Sequence, residues 1–380
     1  MSSSTLSAPT TLGVPRLDST LVVSFFLLIG FGLVMVASSS MDFAASGYGD
    51  PWYFAKRQLV FLGLGFGLGL LVYNCPLNWW QHYSAYLLVL SIALLILVLI
   101  PGVGRVVNGS RRWLSFGAFG VQASEVVKLC LILFYASYLA RRAEHVTHRW
   151  VSFAILVGII AVVAALLLLE PDFGSCVILC FTLGIMMFVA GVPIIRFLLL
   201  SSFGVFSASL LVMTSEYRQE RMLSFLNPFA DPYDGGYQLV QSLIAFGRGD
   251  WFGLGLGNSI QKLFFLPDAH TDFIFAIIAE EFGLLGVVLF LALFSLFVAA
   301  ILRTAITSLR EGRLFGGYVA LGVAALFAVQ AFVNMGVASG LLPTKGLTLP
   351  FVSYGGSSLT IGCVLMALVL RVHAEVSDAR

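Results

Sequence analysis

The chain has 380 residues, of which 59% are hydrophobic and only 11% are charged, and its formal net charge is +2. This composition excludes a water-soluble globular protein and indicates an integral membrane protein. So small a net charge says little about partners, and no nucleic-acid partner is expected.

Ten stretches of the chain are apolar enough, and about long enough, to span a bilayer, which takes roughly 20 residues. They lie near residues 20–40, 58–74, 83–101, 122–140, 151–169, 173–191, 195–214, 273–301, 317–337 and 357–371. We therefore predict an all-α polytopic membrane protein with one ten-span domain at 20–371 and short tails at 1–19 and 372–380. The first tail lacks a cleavable signal pattern, so the first span is expected to be retained.

The first polar interruption comes before the fourth span. Arg111, Arg112 and Trp113 lie in a loop, and Glu125 and Lys128 follow at the start of the span. Residues three apart share a helix face, so Glu125 and Lys128 can form an ion pair inside the membrane. Two interpretations stay open: a buried pair that fixes helix packing, or the wall of a polar cavity.

The second interruption is the turn Glu170-Pro171-Asp172 between the fifth and sixth spans. Asp172 either caps the following helix or contributes to a polar site. The five cysteines show neither metal spacing nor a disulfide framework, so we expect reduced, structural thiols.

The third interruption is the long connection at residues 215–271, which joins the seventh and eighth spans. It is rich in aromatic residues and glycine, so we expect it to fold on the membrane surface rather than to act as a linker. Gly253, Gly255 and Gly257 are interpreted as turns, because no strand precedes them as a nucleotide-binding loop would require. Basic residues occur on both predicted faces of the membrane, so their count does not fix the orientation.

This connection ends in Asp268, His270 and Asp272, at the mouth of the apolar eighth span. An acidic residue in hydrocarbon costs roughly 2.5 to 3.5 kcal/mol, and such residues usually face a cavity or a partner. Asp272 is therefore the first candidate for a functional carboxylate.

A further irregular segment, residues 342–358, precedes the tenth span. Its two prolines and its Gly-Gly pair cannot continue a regular helix. Irregular backbone at membrane depth must be buried in protein or line a water-filled cavity. We predict a re-entrant loop that presents Ser353, Tyr354 and Ser357 to such a cavity, with a simple helix-packing turn as the alternative.

Taken together, these motifs resemble those of the shape, elongation, division and sporulation (SEDS) membrane glycosyltransferases. The matching positions are Arg111-Arg112-Trp113, Ser124-Glu125 with Lys128, Pro171-Asp172, Tyr217-Arg218 with Arg221, Asn227-Pro228, Gly236-Tyr237-Gln238, Gln241-Ser242, His270-Thr271-Asp272-Phe273 and Ser353-Tyr354-Gly355-Gly356-Ser357. The string from Pro343 to Pro350 is more similar to the division branch of the family than to the elongation branch. Ala123 and Asp268 depart from residues common in the family.

The resemblance implies a ten-span fold in the bacterial inner membrane, at the division septum, with cytoplasmic termini and the large loop in the periplasm. It implies polymerisation of lipid II into glycan strands on the periplasmic side, with Asp272 as the essential carboxylate and general base. The residues implied to bind substrate are Arg111, Arg112, Trp113, Glu125, Lys128, Asp172, Arg218, Arg221, Gln238, His270, Lys345, Ser353, Tyr354 and Ser357.

The implied partners are a monofunctional class B penicillin-binding protein that crosslinks the strands, other division proteins, and membrane lipid. The reaction needs the acceptor hydroxyl deprotonated and the leaving pyrophosphate stabilised, by arginines or by a divalent cation such as magnesium or manganese. No nucleotide or organic cofactor is expected.

Two other functions compete with this one. A lipid II flippase would use Glu125, Lys128 and Asp172 along a polar path between helices. Transporters favour internal repeats with paired broken helices, and no convincing repeat relates the halves of this chain. A scaffold that recruits division enzymes would leave the buried charges unexplained.

Overall fold

The computed structural model describes residues 18–107, 110–116, 119–213, 225–230 and 236–377. Arg218 and Arg221, two of the predicted substrate-binding residues, lie outside these ranges. The helices are α1 (Ser19–Tyr48), α2 (Tyr53–Asn74), α3 (Leu77–Leu99), α4 (Ala123–His148), α5 (Trp150–Leu169), α6 (Phe173–Val189), α7 (Ile194–Met213), α8 (Tyr237–Gly249), α9 (Ile274–Arg310), α10 (Leu314–Ala338) and α11 (Gly356–Ser377).

Every predicted span corresponds to one of these helices. Eight of them are long and apolar enough to cross a membrane, and α6 is a shorter apolar helix. The polytopic helical fold is thus confirmed, although several ends differ from the prediction. The helix α2 begins at Tyr53 rather than near residue 58, and α11 continues to Ser377 through part of the predicted tail.

A small antiparallel sheet lies between α3 and α4, where the sequence had indicated only a loop. Its strands are β1 (Gly104–Val107), β2 (Ser110–Phe116) and β3 (Phe119–Gln122), in that spatial order. Two of the strands have only four residues, which is too short for a clear alternating pattern. The strand β3 leads directly into α4, so the sheet is rigidly connected to a membrane helix.

The helix α9 contains a break at Gly283, where φ is +65°. The segment before the break is buried, whereas the segment after it exposes many apolar side chains. The turn that follows α8 fits into the break: the amide of Leu284 donates to the carbonyl of Asp250 (2.8 Å) and that of Leu285 to the carbonyl of Trp251 (3.1 Å). A lipid-facing helix therefore begins at Leu284, with its first amides bound by this turn.

Two buried glutamates hold the long connection onto α9 and α1. Glu280 accepts hydrogen bonds from the hydroxyl of Ser259 and from the amide of Gln261. Glu281 pairs with Lys262 at 2.9 Å and accepts from Ser38 of α1 at 2.8 Å. The described part of the connection is thus a folded unit, as the sequence indicated, and its glycine-rich segment forms turns with positive φ at Gly253, Gly255 and Gly257. Its contact with the membrane surface stays a prediction.

The segment between α10 and α11 runs without helix to residue 355 and returns into the helix bundle. Within this segment, the ring of Phe351 packs against Phe25, Phe297 and Phe327, with ring centroids 5.0 to 5.7 Å apart. Its backbone also lies against Gly32, near the middle of α1. The predicted re-entrant loop is therefore confirmed.

Candidate active site

Asp272 lies in the tight turn just before α9, between α10 and the re-entrant loop. Its amide donates to the carbonyl of Asp268 (3.0 Å), which has a left-handed backbone with φ of +52°. Its carbonyl accepts from the side chain of Asn334 on α10 (2.9 Å). Its carboxylate lies so close to Gly346 that a methyl group there would be 2.6 Å from Oδ2. Hydrogen bonds thus hold the backbone of Asp272, and the absence of a side chain at Gly346 leaves room for its carboxylate.

The surroundings of Asp272 raise its pKa to about 7. Burial is the largest cause, because it disfavours the charged carboxylate, and the negative charge of Asp268 adds to it. The positive charge of Arg112 opposes the shift. Asp272 is therefore a carboxyl group that can both accept and release a proton near neutral pH.

Arg112 projects from β2 towards the corner between α5 and α6. Its guanidinium donates to the carbonyls of Glu170 (3.1 Å) and Pro171, and it lies 4.0 Å from the carboxylate of Asp172. Neighbouring side chains on a strand point to opposite faces. Accordingly, Arg111 binds the carbonyl of Leu99 at the end of α3 instead (3.4 Å). The structure thus separates two arginines that the sequence could not distinguish.

The carboxylate of Asp172 caps α6, as one of the two sequence interpretations predicted. It accepts from the amide of Ser175 (3.2 Å) and from the side chain of Gln122 (3.5 Å). Capping does not exclude a functional role, because the same carboxylate faces Arg112. Asp172 therefore connects the end of the sheet to the start of α6.

Glu170 is a polar residue of this corner that the sequence analysis did not select. Its side chain is fully buried, and neither carboxylate oxygen has a hydrogen-bond partner among the described residues. Burial and the charge of Asp172 raise its pKa to about 8, against the attraction of Arg112. The signal available in the sequence was a second acid two positions before Asp172.

The start of α6 also contacts the re-entrant loop close to Asp272. The ammonium group of Lys345 lies 5.0 Å from the centre of the Phe173 ring, which is within the range of a cation–π interaction. Gly174 lies against the side chain of Leu347. Lys345 directly precedes Gly346, the neighbour of Asp272, so the structure brings Asp272, Lys345 and Arg112 to one region.

Glu125 and Lys128 form the predicted ion pair at 2.8 Å, and both are buried. Lys128 also donates to Gln330 of α10 (3.2 Å), whose amide donates to the carbonyl of Thr348 in the re-entrant loop (2.9 Å). Glu125 and Gln330 line a small cavity, with room for about one water molecule, together with the loop residue Phe351. The pair therefore links α4 to α10, as expected of a pair that fixes helix packing. Its role in the wall of a polar cavity stays a prediction.

Three of the predicted binding residues are engaged within the protein. The ring of His270 packs against Phe54 at 4.5 Å, and burial lowers its pKa to about 4, so it is neutral at physiological pH. The hydroxyl of Ser353 accepts from the amide of Leu349 (2.8 Å), and that of Ser357 donates to the carbonyl of Gly120 (3.1 Å). Their role in substrate binding stays a prediction.

The remaining predicted residues in the described structure are Trp113, Tyr354 and Gln238. Trp113 pairs with Gln122 across β2 and β3, and its ring lies against Gly120. Tyr354 is half-buried against Phe54. Gln238 lies half-buried on α8. Their binding roles, like those of Arg111 and Asp172, stay predictions.

A metal site formed by the protein alone would need several ligand side chains close together among the described residues. No group of three or more His, Cys, Asp or Glu side chains there could hold a metal ion. The five cysteines have free thiols, as the sequence indicated. A magnesium ion often binds through one or two carboxylates together with substrate phosphates. Asp272 and Asp268 could supply such a carboxylate, so a divalent cation stays an expectation.

Comparison with known proteins identifies the family. The sequence model of the FtsW/RodA/SpoVE family, described as "Cell cycle protein", matches residues 19–378. The chain belongs to this family. The FtsW/RodA/SpoVE match extends over all of α1 to α11, so it includes every part of the site described above.

Two relatives with assigned names are similar to this chain over nearly their whole length. A protein of Saccharophagus degradans named "Probable peptidoglycan glycosyltransferase FtsW" is 55% identical over 96% of this chain and 94% of its own. A protein of Hahella chejuensis with the same name is 48% identical over 99% of this chain and 94% of its own.

Solved structures of the FtsW/RodA/SpoVE family share the fold. One, described as "Structural coordination of polymerization and crosslinking by a peptidoglycan synthase complex", is 33% identical with a TM-score of 0.76, over 95% of this chain and 98% of that chain. The rod shape determining protein RodA of Thermus thermophilus is 30% identical with a TM-score of 0.70, over 94% of this chain and 97% of that chain.

Proposed function

We infer that this protein is a peptidoglycan glycosyltransferase of cell division, which polymerises lipid II into glycan strands with Asp272 as general base. The activity follows from the family and from relatives that carry this activity in their names. The role of Asp272 is supported by one observation above all. Asp272 is a partly exposed carboxyl group with a pKa of about 7, its backbone is held by hydrogen bonds, and the charge of Arg112 acts on it.

The proposed reaction joins two lipid-linked sugars. Asp272 takes the proton from the acceptor hydroxyl as that oxygen attacks the anomeric carbon of the donor. The bond from this carbon to the pyrophosphate oxygen breaks, and polyprenyl pyrophosphate leaves with the bonding electrons. A base with a pKa near the working pH balances its ionised fraction against its proton affinity.

Negative charge on the leaving pyrophosphate requires a cationic partner. Arg112 is partly exposed and bound to the α5–α6 corner through two backbone carbonyls, which keeps its charge in place. Lys345 lies over the ring of Phe173 and directly precedes Gly346 in the chain. We assign both to the leaving group, because fixed positive charge at developing negative charge lowers the barrier. A divalent cation would act at the same phosphates.

We further propose a transpeptidase partner and a septal location with the active site on the periplasmic side. A structural relative is described as part of a complex that coordinates polymerization and crosslinking, which supports the partner. A polymerase that acts on a membrane-bound donor benefits from a crosslinking enzyme close to the emerging strand.

The experiment that tests this function combines two assays on the purified protein with its transpeptidase partner. Gel analysis of lipid II products measures strand synthesis, and a vesicle assay measures transfer of lipid II between leaflets. Strands without transfer support the polymerase. Transfer without strands, with an active partner and added divalent metal, supports the flippase instead.

A further inference from the structure

The turn that carries Asp272 contacts the re-entrant loop at two places. Asp272 lies against Gly346 near the start of the loop, and the carbonyl of His270 accepts from the amide of Tyr354 at its end (3.0 Å). At this second contact the ring of Phe54, on α2, packs against both His270 (4.5 Å) and Tyr354 (4.9 Å). The turn therefore has α6, with the cations assigned to the leaving group, near one contact and α2 near the other.

The α2 side has a cation of its own, Arg57. Its guanidinium donates to the hydroxyl of Tyr53 (2.6 Å), and its charge also acts on the phenol of Tyr354. None of the ion pairs among the described residues includes Arg57, whereas its neighbour Lys56 pairs with Asp50 at 2.8 Å. A guanidinium carries several N–H donors, and Arg57 is partly exposed. Arg57 can therefore bind an anion at the surface.

Arg57 lies where α2 enters the bilayer. The next residue, Gln58, is buried and donates to the carbonyl of Ser353 (3.3 Å), which holds this turn of α2 against the re-entrant loop. Val60, three residues after Arg57 and on the same face of the helix, is exposed and apolar, and the exposed ring of Trp52 marks the membrane interface. Arg57 is thus at the depth of the phosphate groups of membrane-bound lipids.

The proposed reaction involves two pyrophosphate groups. The donor loses its pyrophosphate, for which Arg112 and Lys345 are assigned, but the acceptor keeps its own while its hydroxyl attacks. We propose that Arg57, with the hydroxyl of Tyr53 beside it, binds the pyrophosphate of the acceptor. The inference rests on the proposed function, because it names the site of the second substrate. Cations on two sides of the Asp272 turn would hold the two anionic groups apart.

Two substrate analogues separate the donor from the acceptor. A lipid-linked disaccharide epimerised at the attacking hydroxyl can serve only as donor. A second one, with a methylene group in place of the oxygen between the anomeric carbon and phosphorus, cannot release its pyrophosphate and can serve only as acceptor. We expect Arg57→Gln to raise the KM for the acceptor analogue about tenfold and to leave the KM for the donor analogue unchanged. Lys56→Gln, the matched control, should change neither.

Binding of the acceptor analogue alone tests the site without catalysis. Equilibrium dialysis of the radiolabelled analogue against the protein and its partner in nanodiscs measures Kd. We expect Arg57→Gln to raise Kd about tenfold, and excess phosphatidylglycerol not to displace the analogue. Thermal unfolding checks the fold of each variant. If Arg57→Gln does not fold, Tyr53→Phe, which keeps the arginine and removes the adjacent hydroxyl, should raise Kd about fivefold.

Other outcomes overturn the proposal. An equal rise of both KM values would show that Arg57 supports the site as a whole. An unchanged Kd for the acceptor analogue would place its pyrophosphate elsewhere, and displacement by phosphatidylglycerol would show that Arg57 binds the phosphates of ordinary bilayer lipid. Failure of the proposed function gives a different result: binding that depends on Arg57, with no strand synthesis by the unmodified protein, would keep the site and contradict the polymerase.

Discussion

Asp272 and Glu170 are both carboxyl residues with raised pKa values, but their surroundings differ. Arg112 opposes the rise of both pKa values, but Asp272 is partly exposed, whereas Glu170 is fully buried with no hydrogen-bond partner in the described structure. A base must exchange protons with substrate and solvent, which suits Asp272. Glu170, which is buried at the α5–α6 corner, is better suited to remaining protonated.

The pKa of Asp272 predicts the acid limb of the pH–rate profile. Only the ionised carboxylate accepts a proton, so strand synthesis should fall about tenfold per pH unit below a midpoint near 7. Initial rates from pH 5.5 to 8.5, with recovery of activity after return to pH 7.5 as the control, measure this limb. A profile that stays flat down to pH 5.5 would contradict Asp272 as the base.

The pKa of Glu170 predicts how stability depends on pH. Its value rises from 4.5 to about 8 on folding, so the folded state binds more protons in that range, and stability falls as pH increases from about 4.5 to 8. Glu170→Gln removes this loss and should stabilise the protein at pH 8.5 by on the order of 5 kcal/mol. Thermal unfolding in detergent at pH 8.5 and pH 5 measures the difference, which should be much smaller at pH 5. Equal midpoints at both values would show that Glu170 is not buried as a neutral acid.

At the scale of elements, the break in α9 and the re-entrant loop together determine where Asp272 lies. The break at Gly283 separates a buried segment, which follows Asp272, from the lipid-facing segment. The re-entrant loop brings Gly346 against the carboxylate from the other side. Each of these two elements contains a glycine at which an added methyl group would collide with neighbouring atoms. We expect the substitution to affect stability at Gly283 and activity at Gly346.

Gly283→Ala should disrupt the fold around the break. With φ of +65° and ψ of −166°, the backbone is in a region reserved for glycine, and a methyl group would lie 2.4 Å from the amide nitrogen of Gly253. We expect a loss of stability on the order of 3 kcal/mol, measured by thermal unfolding. The matched control is Gly30→Ala in α1, where the added methyl group meets open space. Equal stability of the two variants would contradict a strained break.

Gly346→Ala should instead reduce activity without unfolding the protein. The methyl group would lie 2.6 Å from Oδ2 of Asp272, and that side chain can rotate away. A small displacement of a catalytic group can lower the rate by roughly ten- to a hundredfold. Strand synthesis and thermal unfolding of the same sample measure the two effects. Full activity would show that the position of the Asp272 carboxylate is not critical.

At the scale of the whole molecule, the sequence predicts the architecture well because hydrocarbon leaves few alternatives. The length of each apolar stretch predicts a membrane span. The prolines and glycines after α10 predict the re-entrant loop. The ion pair of Glu125 and Lys128 follows from helical spacing and is confirmed.

The features that the sequence does not predict depend on contacts between distant segments. The sheet has strands too short for a periodic signal. The break at Gly283 depends on the turn after α8, which packs into it. The orphan carboxylate of Glu170 depends on burial by other helices. The difference between Arg111 and Arg112 depends on which face of β2 each occupies, which no pattern in the loop reveals.

The most direct test of the account is strand synthesis from lipid II by Asp272→Asn, in complex with the transpeptidase partner. Asp268→Asn is the matched control, since it removes a neighbouring carboxylate from the same turn. We predict that Asp272→Asn folds normally and makes no strands, while Asp268→Asn keeps measurable activity. Strands from Asp272→Asn at a rate similar to the unmodified protein would contradict the assignment of the base.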